Sequence, residues 1–476
     1  MIARLAYRAL RGFGLSRQAA RWQTRAAGFE GAAGGRRTRG AGVINSPISA
    51  QLAGGRTLAR RAEHLVANSG LSRAGVEAWT SALVGCGIKP QSRHPDAATR
   101  KLLNAAFDAW TRDADYDGLC DFFGLQAVIA RRLVIAGECF AVFTHDDSGA
   151  LRIRLIDAEQ IDDATSDLAN GTRIVAGVEF DAAQRRVAYR IYKDRPGLAS
   201  FGGLQTIRVP FEDMCHIFRV DVPGQVRGVS WFAPVLLRLA DLDATCDAQV
   251  VRQKIAALLC GFVTDPDGAG GPFTGEVKDG VLEGGLEPGT LKMLQPGQDI
   301  RFSEPAELGA ESIAFVKFIS HEIAAGLGVP FEELTGDRSE GNYSSMRDGK
   351  IEFRRRAEAL QFNIIAKQFC EPVWRRFVLA EILSGRIDAP DFARDPGAWF
   401  AVDWLPPKTD WVDPLRDAQA EILAINAGLM SRRQAVAARG YDLENLDAEI
   451  AQDLASANAL GLSFDARPQT MKDSAA

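Results

Sequence analysis

The chain of 476 residues is poor in histidine, with five. Its histidines are His64, His94, His145, His216 and His321, and no two stand in an HxxxH spacing, so a histidine-built metal site has no support. The seven cysteines, Cys86, Cys120, Cys139, Cys215, Cys246, Cys260 and Cys370, are odd in number and contain no CxxC pair. That disfavours a thiolate zinc site and a disulfide framework, and leaves small buried hydrophobes in a reducing compartment. Cys215 and His216 are adjacent on a predicted strand, so their side chains point to opposite faces and make a poor nucleophile–base pair. Long hydrophobic runs are missing too: the longest near the middle, 255–263, has nine residues, against roughly 20 for a membrane span. A soluble chain with no membrane partner is expected. Positive charge is not in excess, since 56 Lys and Arg face 61 Asp and Glu for a net of −5, which excludes a nucleic-acid binder with basic surface all round. Nucleotide loops fail as well. Gly336 and Gly341 have Walker A spacing, but Asn342 and Tyr343 stand where Lys and Ser or Thr are required. Gly12-x-Gly14 and Gly268-x-Gly270 lack the preceding strand and the third glycine of a dinucleotide loop. The acids are scattered without a spacing that singles out a catalytic pair. No cofactor, metal or catalytic residue is implied.

What is present is a globular composition, 46% hydrophobic and 25% charged, on a length that suggests two to four structural units. The charge is uneven. Residues 1–45 carry nine Arg, no Lys and a single acid, Glu30, for +8, whereas 386–476 carry nine basic and fifteen acidic side chains, for −6. The head reads as a flexible arm, solvated or touching nucleic acid, with a cleaved mitochondrial transit peptide as the other reading.

Patterning predicts helices over 65–84, 97–110 and 122–135, then short strands over 138–144 and 151–156. A two-residue period over 174–180 and again over 187–191 predicts a β-hairpin, and 214–220 adds a strand. Helices followed by a meander indicate an α+β unit. A helix over 232–259 leads into a Gly- and Pro-rich insertion with strands near 290–294 and 299–302, and a second helix over 313–327 returns, stopped by Gly328-Val329-Pro330. Residues 331–342 read as a polar loop. Ser345-x-x-Asp348 has the form of a helix start, with a long helix to about 383 kinked at Pro372. Asp413-Pro414, Ser431 and the run 444–458 mark three short C-terminal helices. Those around 431–439 faintly suggest a helix-turn-helix, which the acidic surroundings disfavour as a groove reader.

Read in order, several of these pieces resemble one family. Val84-Gly85-Cys86-Gly87-Ile88-Lys89-Pro90-Gln91 is similar to the early VGxGIxPQ signature of lambda-family phage portal proteins. Gly137-Glu138 resembles a recurrent GE of that family, Glu322-Ile323 with 326–330 its EI…GVP segment, and 342–347 its NYSSxR segment. Trp404-Leu405-Pro406, Val412-Asp413-Pro414 and 428–431 resemble its C-terminal portion.

The resemblance implies an α+β portal fold and a ring, expected to be dodecameric, with an axial channel at one capsid vertex. An Arg-rich arm at 1–45 would precede a wing at 46–231, and stem helices at 232–260 and 307–328 would flank a clip at 261–306. A tunnel loop at 329–344, a spine helix at 345–384 and a wing strand with helical crown at 385–476 would follow. Double-stranded DNA would pass the channel during packaging and ejection, and the terminase large subunit, the capsid and head–tail adaptor proteins would be partners. The place would be the virion, and the bacterial host cytoplasm during assembly. Candidate channel or tunnel-loop residues are Arg338, Asn342, Tyr343, Ser344, Arg347 and Lys350. Candidate clip contacts to terminase are Asp265, Asp267 and Pro272. The net negative charge suits a conduit whose wall must not grip phosphates, and the energy for transport would come from a separate ATPase. A metal-dependent hydrolase or nuclease of phage assembly stands as the alternative.

Overall fold

The computed structural model describes residues 44, 46–163, 168–169, 172–197, 205–257, 261–264, 276–278, 281–283, 299–302, 310–339, 341, 343–407 and 413–462. The chain divides into a short leading unit, Met1–Ala50, and a main unit, Gln51–Ala476. Of the leading unit, little more than the first turn of α1 (Pro47–Asn68) is described.

Helices α1 and α2 (Gly70–Val84) replace the single helix predicted over 65–84. The break at Ser69 is local chemistry: the Asn68 amide donates back to the His64 carbonyl at 2.7 Å, closing α1, and Ser69 turns extended. Strand β1 (Lys89–Ser92) follows, then α3 (Ala97–Thr111) and α4 (Phe122–Ile135), each begun by an aspartate cap, Asp96 on the Thr99 N–H and Asp121 on the Gly124 N–H. Strands β2 (Glu138–His145) and β3 (Leu151–Ile156) start the meander. Next come β4 (Leu168–Ala169), β5 (Thr172–Val175), β6 (Val178–Phe180), β7 (Arg186–Tyr192) and β8 (Thr206–Pro210), which form one antiparallel sheet in that order. The predicted hairpin arm over 174–180 is itself folded: Ala176 and Gly177 both have positive φ and close a tight two-residue turn between β5 and β6. Strand β9 (Met214–Phe218) joins a second sheet, ordered β3-β2-β9.

Two long helices then stand in the predicted places, α5 (Leu236–Ala257) and α6 (Ala310–Leu327). Between them β10 (Gly261–Thr264) pairs with β13 (Asp299–Phe302), and β11 (Glu276–Lys278) with β12 (Val281–Glu283). The strand predicted near 290–294 lies outside the described residues. A short α7 (Phe331–Thr335) occupies part of the predicted loop, and the long helix starts at Tyr343, two residues before the predicted Ser345. It runs as α8 (Tyr343–Leu360), a π-helical stretch Gln361–Cys370, and α9 (Glu371–Leu383). The irregularity therefore precedes Pro372. That residue has no N–H to give and its ring crowds the carbonyl one turn back, so a wider turn upstream accommodates it. Helix α10 (Pro396–Phe400) leads into β14 (Val402–Leu405), and α11 (Pro414–Asn426), α12 (Arg432–Ala437) and α13 (Leu443–Ala459) are the last described elements, with the predicted caps on Asp413 and Ser431.

The main core lies where α2, α3 and α4 meet the far half of the long helix. Phe107 sits edge-on to Phe122 and Phe377 and tilted against Trp374, at 5.1–5.3 Å, all fully buried. Each such ring contributes roughly 1.5–3 kcal/mol by leaving water. Cys139, Cys215 and Cys370 are buried in this unit, Cys120 is half-buried, Cys86 and Cys246 are exposed, and Cys260 lies outside the described residues. Burial pushes the Cys139 and Cys215 thiols up to about 12, which suits packing rather than chemistry.

Candidate functional site

The segment that the sequence marks as a channel element is fastened where α6 ends. Gly326 packs on Val235, the residue just before α5: a Cβ there would lie 2.3 Å from Val235 Cγ1, so a glycine lets α6 approach the start of α5 this closely. The carbonyls left open at the end of α6 have assigned donors. Trp79 Nε1 donates to the Leu327 carbonyl and Arg356 Nη1 to the Gly328 carbonyl, both at 2.9 Å. The guanidinium also suits the negative end of the helix dipole. This explains the GVP turn: it is held from α2 on one side and from α8 on the other. Arg356→Met should lower stability by about 1–2 kcal/mol, read as an earlier urea midpoint, because a carbonyl loses its donor while the aliphatic stem is kept. An unchanged midpoint would contradict this fastening.

Beyond the turn, Phe331 stacks on His321 at 3.8 Å, Leu334 is buried, and Lys317 Nζ lies 4.0 Å from Asp337. Among the described residues the irregular backbone is therefore 336–339 and 341, and 331–335 is helix rather than loop. Arg338 is exposed on it, with its carbonyl taking the Gly341 N–H. Tyr343 and Ser344 open α8, and Asn342 lies outside the described residues. Arg347 Nη2 is 3.5 Å from Asp417 Oδ1 on α11, so its charge is partly matched within the chain, and Lys350 is exposed. Asp265, Asp267 and Pro272 also lie outside the described residues.

The two ends of the resemblance are brought together: β1 and β14 pair antiparallel, Pro90 opposite Trp404 and Lys89 opposite Leu405. The GE dipeptide has a different role. Gly137 has φ +89, and a Cβ on it would lie 2.1 Å from the Val229 carbonyl carbon, so the 221–231 loop can lie against the sheet only over a glycine. Glu138, buried, then takes the Gly228 N–H at 2.7 Å, Arg227 Nε at 2.8 Å and His216 Nε2 at 2.9 Å. On its other side His216 Nδ1 faces Arg186 Nη1 at 2.9 Å, and its ring lies between Phe140 and Phe218 at 4.2 and 4.3 Å. The neutral ring satisfies both neighbours, donating to the carboxylate and accepting from the guanidinium. Burial alone would raise the Glu138 carboxyl, but the Arg227 charge and the His216 hydrogen bond outweigh it and bring it down to about 2. Burial brings His216 down to about 4 against the pull of Glu138, with Arg186 and Arg227 adding to the lowering. Sequence reasoning set Cys215-His216 aside as a catalytic dyad, and the strand does place the two on opposite faces. It did not foresee the Glu138–His216–Arg227 cluster, for which the GE dipeptide was the available signal.

Among known proteins, a family model described as "Phage portal protein, lambda family" matches residues 34–361. A probable portal protein of Halomonas phage phiHAP-1 is 23% identical over 427 residues, 85% of this chain and 81% of that one. Portal protein B of Escherichia phage lambda is 21% identical over 454 residues, 84% of each. Among solved structures, a chain in the neck of a native gene transfer agent particle, computed with C12 symmetry, is 17% identical with a TM-score of 0.46, covering 80% of this chain and 91% of that one. An HK97 family phage portal protein from Corynebacterium diphtheriae is 11% identical with a TM-score of 0.30, covering 61% of this chain and 83% of that one. The family model spans well over half of the sequence and includes the VGCGIKPQ, GE, GVP and NYSSMR segments; the chain belongs to the lambda family of phage portal proteins.

Proposed function

We propose that copies of the chain close into a ring, expected to number twelve, whose axial channel passes double-stranded DNA into and out of the capsid at one vertex. The observation that carries this is the state of the two long helices. Past Leu242 on α5 and before Ile319 on α6, every described side chain is at least partly exposed. Yet α6 carries Ile313, Phe315 and Phe318 at 61, 53 and 64% exposure. A helix that is apolar on faces turned away from its own chain needs a cover. An identical neighbour around an axis supplies one at every seam, as heterologous closed rings do.

In this reading the α-helices and sheets of 46–231 with β14 are the wing, α5 and α6 the stem, the intervening strands the clip, and α11–α13 the crown. Asp265, Asp267 and Pro272 of the clip face the terminase large subunit first and head–tail adaptors later. The capsid holds the wing, assembly takes place in the bacterial cytoplasm, and the virion is the final place. Arg338, Asn342, Tyr343, Ser344, Arg347 and Lys350 lie along the channel and steer the duplex. The hydrolase alternative gains nothing from the family match, and among the described residues no three His, Cys, Asp or Glu side chains are grouped to hold a metal ion.

The test is to replace 336–341 by a Gly-Ser linker of equal length, which spares the buried Leu334 and the Phe331 stack. The expected product forms rings of normal mass, while filled particles lose packaged DNA. Normal retention of DNA in particles built from such rings would overturn the channel assignment of the loop.

A further inference from the structure

Arg347, Lys350 and Arg354 are spaced three and four residues apart on α8 and so share one face of it. Arg347 Nη2 lies 3.5 Å from Asp417 Oδ1, and both side chains are about one-third exposed. Asp417 is held by its own helix. It stands in the first turn of α11, where the helix dipole favours a carboxylate, and its Oδ2 accepts the Asp413 N–H at 3.1 Å. Its position therefore does not depend on Arg347. Helix α11 in turn is lightly seated: none of its residues is buried, and Leu415 and Leu423 are about two-thirds exposed.

We infer that Asp417 is an internal stand-in for a DNA phosphate, masking Arg347 until the backbone of a passing duplex exchanges with it. This rests on the channel reading above and adds to it how the wall regulates its own grip. A carboxylate and a phosphate present similar pairs of oxygens to a guanidinium, so one can replace the other without rearranging the arginine. A pair this open to solvent and this long adds little to stability, so the exchange is nearly free in either direction. The consequence is a wall of low friction. An unmasked arginine on every copy would add a ring of phosphate contacts, each steepening the salt dependence of binding by about 0.9 in log–log slope. With the carboxylate alongside, each contact made to the duplex is balanced by one lost within the protein.

The experiment measures binding of a short fluorescent DNA duplex to assembled rings across a salt series, for the unaltered protein, Asp417→Asn, Arg347→Gln and the double variant. Asp417→Asn is expected to bind about fivefold more tightly at low salt with a steeper salt slope. In the Arg347→Gln background the same change should have less than about a twofold effect, since the group it uncovers is gone. Unchanged affinity and slope in Asp417→Asn, with weakening in Arg347→Gln, would overturn the mask while leaving the channel reading in place. Equal tightening in both backgrounds would also overturn it, by showing a general charge effect. No duplex binding by any ring, the unaltered one included, would instead remove the DNA reading on which the inference rests. Ring mass, checked for each variant, separates these results from failed assembly.

Discussion

Replacing Phe318 by Glu is expected to leave a folded chain that no longer closes into rings. Phe318 is 64% exposed on α6, and Phe315, one turn earlier, is 53% exposed, so both are absent from the core of their own chain. Folding should therefore be almost indifferent to the change. Assembly should not be: covering such a ring stabilises a seam by roughly 1.5–3 kcal/mol, and a carboxylate forced into the same apolar contact costs several more. Every seam carries the same lesion, so the losses multiply around the ring. Light scattering should report a species near the 51.5 kDa of one chain, with a far-ultraviolet spectrum unchanged. Phe318→Leu should restore the rings. Rings of full mass from the Glu variant would remove the stem seam from the proposal and leave the assembly to be explained elsewhere.

The second large effect concerns stability and acid. Glu138→Gln keeps the shape of the side chain but strips the charge that Arg227 and His216 share. Breaking one member out of a buried charged network typically costs about 3–5 kcal/mol, because the Arg227 guanidinium is left without its counter-charge. The pH dependence has a definite sign. His216 is neutral when folded, with its pKa brought from 6.5 to about 4, so stability is full above pH 6.5 and is lost as pH falls through 4. Glu138, brought from 4.5 to about 2, adds a loss that begins below 4.5 and completes as pH falls through 2. Both act in the same direction. Denaturant midpoints should be flat from pH 8 to about 6.5 and then decline. In a His216→Gln variant the first part of the decline should shrink and the lower part persist. A midpoint that rises on acidification would contradict the network as described.

Why these features differ in legibility follows from what each rests on. The caps at Asp413 and Ser431 are legible because a cap and the amide it serves lie within three residues. Helix α4 matches its predicted span, since Gly137 closes the pattern two residues after its end. The break at Ser69 leaves no pattern in the sequence because it hangs on one side-chain amide turning back to a carbonyl. Helix α7 is invisible in the sequence because five residues are too few to show a helical period. The Glu138 cluster joins residues 78 and 89 positions apart, and no local pattern links them. The same holds for Arg347 and Asp417. Caps are written in neighbours, while charge networks are written in the fold.

The π-helical stretch Gln361–Cys370 has a consequence for how such a protein can change. Upstream of it the rod bears Arg347, Lys350 and Arg354; downstream it bears Trp374 and Phe377, locked in the core. Each residue turns a helix by about 100°, so a wide turn acts like a swivel between two barrels of a lock. One residue gained or lost there would re-aim the whole upstream face while the downstream anchor stays seated. Single-codon insertions there could thus change what this face presents without redesigning the body that carries it.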